Sequence, residues 1–124
     1  MGYGRKITGG KYHKFNKKKK YAQPGIERKV KLGTYKKKTL RITGGNKKVV
    51  LLTAEYAVVL DQKTKKVKKV KIKNVVETPS NRFLARQNIL VKSAIIDTEL
   101  GKAKITNRPS QEGQVHAVLL HDKK

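Results

Sequence analysis

Cysteine and tryptophan are absent from this sequence, and proline, aromatic and acidic residues are scarce. Without cysteine the chain can form neither a disulfide nor a thiolate metal site. Long apolar runs are also missing: the longest unbroken aliphatic runs have four residues, as in Val49–Leu52 and Ala57–Leu60. A membrane span needs about 20 apolar residues and a signal peptide about 7–15. Lys6 stands where a myristoylation motif requires Ser or Thr. We therefore expect a soluble, non-secreted protein.

Positive charge dominates what is present. Lys and Arg number 32 against 8 acidic residues, which gives a net charge of +24 at pH 7. A compact body with this charge repels itself unless an anionic partner or salt screens it. Nucleic acid is the usual partner for such a protein, and an anionic membrane surface is the second.

The chain divides into two regions. Its 124 residues suffice for one domain with an appendage, and only 36% of them are hydrophobic, so the core is small. Residues 1–28 show no period of 2 or 3.6 and contain four consecutive lysines at 17–20. Such a segment buries too little apolar surface to offset its ordering entropy. The sequence predicts a basic arm over 1–28, disordered when free, a turn or hinge at Pro24-Gly25, and a folded domain over 29–124.

The folded domain is rich in Val, Ile and Thr from Val30 onward, with turn signals at short intervals. Many short strands with little helix predict an all-β fold, a small closed or nearly closed β-barrel, because closure removes exposed strand edges. Lys69–Lys73 alternates lysine with Val and Ile, which predicts an apolar face on the core and a lysine face turned to solvent or to phosphate, with solvent favoured. The predicted strands lie near 29–34, 38–43, 47–53, 55–60, 66–76, 89–98, 102–107 and 114–121.

Residues 94–107 predict a β-hairpin that turns at Leu100-Gly101, with Gly101 at positive φ. Opposite charges occupy one face and apolar side chains the other, an arrangement that cross-strand pairing favours. The predicted pairs are Glu99 with Lys102, Asp97 with Lys104, Thr98 with Ala103, and Ile96 with Ile105. Salt bridges therefore explain the two carboxylates better than a catalytic pair does.

Residues 79–87 predict one or two turns of helix, with Ser80 or Asn81 as the N-cap. One apolar side chain of this helix is expected to plug an end of the barrel, while two arginines four residues apart face outward. The predicted plug is Phe83 or Leu84, and the predicted outward residues are Arg82 and Arg86.

The string Ile-Thr-Gly-Gly occurs twice, at Ile7–Gly10 and at Ile42–Gly45. The first copy continues as KYHKFNKKKK and the second as NKKVVLLTAE, a divergence that argues against a duplicated module. Consecutive glycines let a backbone approach a phosphate and present successive N–H groups to it, and Lys11 and Lys47-Lys48 stand nearby. The alternatives are a flexible linker for the first copy and an ordinary hairpin turn for the second. P-loop spacing is absent, so neither copy is a nucleotide-binding P-loop.

Several motifs, in collinear order over almost the whole chain, resemble one family. They are RKITGG at 5–10 with the lysine run to Tyr21, GGNKKV at 44–49, NVV at 74–76, ARQNI at 85–89, TELGKA at 98–103, and RPSQEGQVHAVLL at 108–120. On these motifs the chain resembles the S-eight-e family of small-subunit ribosomal proteins, in its short archaeal form. Ala22–Gly25 departs from the Leu-Gly-Arg-like element usual in the family, so no arginine contact is carried over there. The resemblance implies a β-barrel with a basic extension threaded into small-subunit rRNA, and a structural and assembly role without catalysis in the cytoplasmic ribosome.

The residues themselves also favour RNA binding. An extended polycationic arm fits the narrow clefts between RNA helices, lysine suits diffuse attraction to phosphate, and arginine suits geometric contacts. Tyr12, Phe15 and Tyr21 either stack on unpaired bases or pack on the barrel or on RNA sugars. The predicted RNA-binding residues of the arm are Arg5, Lys6, Thr8, Gly9, Gly10, Lys11, Tyr12, His13, Lys14, Lys17, Lys18, Lys19, Lys20, Tyr21 and Arg28. Those of the folded domain are Lys36, Lys37, Arg41, Gly44, Gly45, Asn46, Lys47, Lys48, Arg82, Arg86 and Arg108.

The sequence contains few residues that would support metal binding, cofactor binding or catalysis. His13, His116 and His121 form no ligand motif, so we expect no metal, cofactor or small-molecule substrate. Two alternatives to rRNA binding remain open: a DNA-compacting or generic nucleic-acid-binding protein, and a membrane-active cationic protein. The second requires an amphipathic helix, which ITGGKYHKFNKKKKY does not supply. The expected partners are small-subunit rRNA and neighbouring ribosomal proteins, without a membrane.

Overall fold

The computed structural model describes residues 4–13, 17 and 19–120. Lys14, Phe15, Lys18 and His121, for which predictions were made, lie outside these residues. The described strands are β1 (Lys31–Leu32), β2 (Lys36–Arg41), β3 (Lys47–Ala54), β4 (Tyr56–Leu60), β5 (Val67–Glu77), β6 (Ile95–Thr98), β7 (Gly101–Ile105) and β8 (His116–Leu119). A short helix, α1 (Arg82–Arg86), and two 3-10 turns, Lys20–Ala22 and Thr43–Gly45, complete the described elements.

The strands form two sheets. The first has the order β1-β3-β2, in which β3 is antiparallel to β2 and parallel to β1. Strands β4 to β8 form a closed barrel, completed by the parallel pairing of β8 with β4. The all-β fold with a closed barrel is therefore confirmed, although the first three strands lie outside the barrel. The chain passes between the two sheets at Glu55, whose carbonyl accepts a hydrogen bond from the Ile72 N–H at 2.9 Å.

The barrel and the sheet share one core. Small side chains such as Ala57, Ala103 and Ala117 are fully buried, as the narrow interior of a five-stranded barrel requires. Leu51 and Ala54 of the sheet join the same apolar cluster. The sheet is therefore fixed against the barrel by apolar packing.

Strand β5 has the predicted alternation. Val70 and Ile72 are buried, while Lys69, Lys71 and Lys73 are exposed. A register shift between Ile72 and Asn74 then changes the phase of the strand, as a β-bulge does. The lysines of this strand form part of the outer surface of the barrel.

The β6–β7 hairpin differs from the prediction in register. Thr98 pairs with Gly101 and Asp97 with Lys102, so the turn is Glu99-Leu100. The shift is two residues, which keeps each side chain on its predicted face. Gly101 has the predicted positive φ, 118°, and the Thr98 hydroxyl donates to its carbonyl at 2.7 Å, which ties the two ends of the shorter turn together.

The predicted salt bridges of this hairpin are not found. Because Glu99 lies in the turn, it has no residue opposite it on β7. Asp97 lies opposite Lys102, but among the described residues neither carboxylate forms an ion pair.

The strand predicted over 89–98 is confirmed only for its last part, Ile95–Thr98. Ile89 makes an isolated bridge with Lys31, and the Leu90 N–H donates to the Val30 carbonyl at 2.8 Å. Both apolar residues are buried. The segment thus fills the core beside β1 before the chain enters β6, which explains its apolar character without a continuous strand.

Helix α1 begins as predicted at an Asn81 cap, whose side chain accepts from the Phe83 N–H at 2.9 Å. The predicted plug is wrong for Phe83, which is 68% exposed, and Leu84 is only half-buried. Ala85 packs against the core instead. Because the helix has little more than one turn, only a narrow part of its surface faces inward.

Candidate nucleic-acid interface

The described residues of the arm lie outside the core. Every one of them before Arg28 is exposed, including apolar Ile7 and Ile26. Exposed isoleucines show that this segment does not pack on the barrel through its apolar side chains. The arm therefore presents its cations, Lys17, Lys19 and Lys20 among them, to the surroundings.

The first Ile-Thr-Gly-Gly copy forms a defined turn. Arg5 and Lys11 make an antiparallel bridge, and the Lys6 N–H donates to the Gly10 carbonyl at 2.9 Å. Gly9 has a φ of 78°, a conformation that glycine adopts readily. Its carbonyl accepts a hydrogen bond from the Arg5 guanidinium at 3.0 Å. This copy is thus not the flexible linker that remained an alternative.

The second copy forms the turn between β2 and β3. Arg41 lies opposite Lys47, and the Ile42 N–H donates to the Asn46 carbonyl at 2.8 Å. Gly44 and Gly45 have φ values of 74° and 77°. The Asn46 side chain donates to the Thr43 carbonyl at 3.3 Å, which further fixes the turn.

The two turns have the same backbone pairing, although the Ile-Thr-Gly-Gly string begins one residue later in the first turn than in the second. In each turn, five residues separate an arginine from the lysine that lies opposite it. In each, the N–H of the residue after the arginine donates to the carbonyl of the residue before the lysine. We call residues 5–11 and 41–47 the twin turns. Nothing lies within 4 Å of a Cβ built on Gly9 or Gly45, so the side of each glycine that lacks a side chain is open to a ligand.

The electrostatics of the twin turns is unfavourable in isolation. Like charges directly opposite each other on paired strands destabilise them, and each turn has an Arg–Lys pair in that position. A phosphate between the two cations would remove the repulsion and gain charge-assisted hydrogen bonds. The arrangement is therefore suited to binding anions.

Strand β2 extends the basic surface from the second turn. Lys36, Lys37 and Lys38 are all exposed, and Arg41 ends the strand. Lys38 was missed by the sequence reasoning, although the run of three lysines at 36–38 was the available signal.

Two predicted RNA-binding cations, Arg28 and Lys48, contact the loop at 109–113. The Arg28 guanidinium donates to the Ser110 carbonyl at 3.4 Å, and the Lys48 ammonium donates to the Gln111 side chain. The first contact joins the loop at 109–113 to the end of the arm, and the second joins it to β3. Arg108 precedes this loop, is exposed, and its carbonyl accepts from the Gln111 N–H at 2.9 Å.

The other predicted cations that the structure describes are exposed, and some of them lie near aromatic rings. The Lys6 ammonium is 5.6 Å from the ring centroid of Tyr12, and that of Lys19 is 5.7 Å from that of Tyr21. On α1, Arg82 and Arg86 face outward as predicted. Exposed cations interleaved with rings suit a ligand that has both phosphates and bases.

One exposed lysine is held by an ion pair. The Lys71 ammonium lies 2.9 Å from the Glu55 carboxylate. This hydrogen bond and the charge of Glu55 raise the pKa of Lys71 above its ordinary value. The positive charge of Lys71 is thus balanced by a neighbouring carboxylate, whereas each twin turn places two cations opposite each other.

Among residues 4–13, 17 and 19–120, no three His, Asp or Glu side chains gather where a metal ion would fit. No described helix is long and apolar enough to cross a membrane.

Comparison with known proteins gives one consistent result. Residues 3–120 match the family Ribosomal protein S8e. The chain is similar to the small ribosomal subunit protein eS8 of Methanocorpusculum labreanum, with 48% identity over 116 residues that cover 94% of this chain and 93% of the relative. The proteins of that name from Methanococcus aeolicus and Sulfolobus acidocaldarius are each 48% identical over 120 residues, covering 95% of this chain and 93% of the relative.

These matches extend through the arm, both twin turns and the barrel. They identify a structural ribosomal protein rather than an enzyme, as the sequence predicted. The chain belongs to the ribosomal protein S8e family.

Proposed function

We propose that the protein binds and stabilises folded small-subunit rRNA through its basic arm and the loops of its folded domain, and that it takes part in subunit assembly. The observation that carries this proposal is the pair of twin turns, each with an arginine opposite a lysine. The names of the archaeal relatives, all small ribosomal subunit proteins, support the choice of rRNA as the polyanion.

The arm supplies affinity that does not depend on sequence. Lysines such as Lys17, Lys19 and Lys20 are exposed and attract phosphates as point charges. Each phosphate that they neutralise releases counterions, which is a strong driving force at moderate salt. Outside the turn at residues 5–11, the arm is disordered in the free protein and becomes ordered where phosphates crowd between RNA helices.

The twin turns supply position. Arg5 with Lys11, and Arg41 with Lys47, each provide two cations beside a glycine backbone with free approach. We expect a phosphate to bind there better than on an isolated lysine, because an arginine and a lysine on opposite sides of each turn can both donate to it. The turns thus fix the register of the protein on the folded RNA.

The other predicted cations fall into two groups. Lys36, Lys37, Arg82, Arg86 and Arg108 are exposed and extend the RNA-binding surface. Arg28 and Lys48 contact the loop at 109–113 and position that loop as well as contacting RNA. Neighbouring ribosomal proteins are further partners, in the cytoplasmic ribosome.

Sedimentation tests the proposal directly. The native protein should remain with small subunits after a moderate-salt wash, and its absence from them would end the proposal. At equal salt the protein should bind structured small-subunit rRNA fragments more tightly than duplex DNA of the same length. Equal affinities would favour a generic nucleic-acid-binding protein instead.

A further inference from the structure

We propose that a cleft between the three-stranded sheet and the barrel binds one unstacked nucleobase of RNA. We call it the tyrosine cleft, because Tyr35 and Tyr56 line it together with Lys69 and Gln114. The inference rests on the proposed function only in taking RNA as the partner, and none of these four residues was predicted to bind RNA from the sequence.

The size and lining of the tyrosine cleft suit a base. Its volume is about 370 Å³, and Leu51, Ala57 and Val115 form its apolar floor. Small-molecule sites range from about 300 to 1,000 Å³ and combine apolar walls with a few polar groups. This cleft lies near the small end of that range and has room for one planar base.

The two tyrosines are placed for stacking. Tyr35 lies just before β2 and is 51% exposed, and Tyr56 begins β4 and is 43% exposed. The Tyr35 hydroxyl donates to the Gly113 carbonyl at 3.1 Å, which restrains its ring without covering it. Half-exposed rings are stacking platforms for bases that have left an RNA helix.

The charges around the cleft suit a base attached to its backbone. The Lys69 ammonium lies 4.9 Å from the ring centroid of Tyr56 and forms no ion pair with any described residue. A base arriving at Tyr56 would displace this flexible side chain, which can then reach the adjacent phosphate. Lys36, next to Tyr35 in the sequence, is also exposed.

Gln114 provides a polar edge. Its carbonyl accepts from the Asn107 side chain at 2.8 Å, which holds the backbone, while its own amide makes no hydrogen bond to described residues. An amide donates and accepts at once, so it matches the mixed donor and acceptor edge of a base. An apolar side chain of a neighbouring protein would leave both Gln114 and Lys69 without partners, so we favour the base.

The test uses the full-length protein and an eight-residue oligouridylate, whose bases are unpaired. In an NMR titration the ring resonances of Tyr35 and Tyr56 should shift, while the methyl resonances of Leu100, an exposed side chain in the β6–β7 turn, should not. Tyr56→Leu should weaken binding by about 5- to 150-fold, the range for losing one stacked base. Tyr56→Phe should retain the binding of the unaltered protein, and Leu100→Ala should leave binding unchanged.

Salt dependence separates the ring from the cation. Lys69→Gln should reduce the slope of log K against log[salt] by about 0.7, as one lost phosphate contact to a single strand does. Tyr56→Leu should leave that slope unchanged. If Tyr56→Leu binds oligouridylate as the unaltered protein does, the tyrosine cleft is not a base site.

Ultraviolet crosslinking in assembled small subunits completes the test. Nucleotide adducts on Tyr35 or Tyr56 would support the proposal, whereas crosslinks from both residues only to a neighbouring protein would overturn it. A protein that stays with small subunits and binds rRNA while failing these tests would leave the proposed function intact. Loss of rRNA binding by the unaltered protein would instead overturn the function itself.

Discussion

Arg41 and Lys47 face each other across the turn between β2 and β3, and Arg5 and Lys11 do so in the arm. Such pairs oppose folding and favour anion binding, so stability and RNA affinity should respond to them in opposite directions. By contrast, Lys71 has a carboxylate partner. Lysine thus has two roles in this protein: beside a carboxylate it forms an ion pair, and opposite an arginine it favours anion binding.

Arg41→Gln should therefore stabilise the free protein by about 0.2–1 kcal/mol, the usual size of one cross-strand pair, and weaken its binding to an rRNA fragment. Urea unfolding and a binding titration measure the two effects. Lys92→Gln, which also removes one exposed charge, should change neither by a comparable amount. Loss of stability together with RNA affinity in Arg41→Gln would contradict a repulsive pair.

Glu55→Gln should lower the pKa of Lys71 toward its ordinary value, because the hydrogen bond and charge of Glu55 are what raise it. A raised lysine pKa means that the pair stabilises the fold fully below the unfolded-state pKa and loses this effect as pH rises through the folded-state pKa. Stability near neutral pH should consequently not depend on titration of Lys71. An NMR titration of the Lys71 side chain that gives the same pKa in the Glu55→Gln variant as in the unaltered protein would refute the assignment.

At the scale of elements, local chemistry explains what could be predicted. The alternation of Lys69–Lys73 and the Asn81 cap each follow from a few neighbouring residues, and both are confirmed. The predicted register of the hairpin was wrong by two residues. A turn at Leu100-Gly101 and a turn at Glu99-Leu100 both place the apolar side chains on the same face, so the sequence pattern does not distinguish them. The Thr98 hydroxyl bond to Gly101 accompanies the turn that forms, and the sequence pattern alone does not specify it.

Features that depend on distant contacts escaped the sequence. Ile89 and Leu90 look like the start of a strand, yet they contact Lys31 and Val30, neighbours that periodicity does not reveal. The glycines of the twin turns predicted phosphate binding, but only the strand register shows that an arginine lies opposite a lysine in each turn. The tyrosine cleft joins Tyr35 with Tyr56 and Gln114, which only the topology brings together.

The loop at 109–113 depends on close contact with β3. A Cβ on Gly113 would lie 2.9 Å from Cγ1 of Val49, so Gly113→Ala should destabilise the fold by about 1–3 kcal/mol, as overpacking does. Val49→Ala removes that methyl and should recover part of the loss in the double variant, which denaturant unfolding measures. Strictly additive effects would show that the two residues do not compete for space.

At the scale of the whole molecule, charge outweighs fold in determining what the protein binds. The net charge is +24, and residues 1–50 hold 17 Lys and Arg against one acid, Glu27. Residues 51–124 hold 15 against 7. The barrel thus provides a rigid base, and most of the excess charge is placed in the arm and the first sheet.

Salt dependence should reveal this division. With about ten phosphate contacts, log K for rRNA should fall with log[salt] at a slope of roughly −7 to −9. Replacing the four lysines at 17–20 with Gln should make the slope shallower by roughly 3–4. Replacing Lys63, Lys65, Lys66 and Lys68 should have a smaller effect, because their surface is a solvated face of the barrel. Equal changes in the two variants would argue against a dedicated arm.

The most direct test of the central claim is NMR relaxation of the full-length protein with and without a small-subunit rRNA fragment. In the free protein we expect backbone order parameters below about 0.6 over most of residues 1–28 and near 0.85 in the barrel. Binding to the RNA fragment should raise those of the arm toward the value of the barrel. Order parameters near 0.85 throughout the arm in the RNA-free protein, with contacts between the arm and the barrel, would contradict the proposal that RNA orders it.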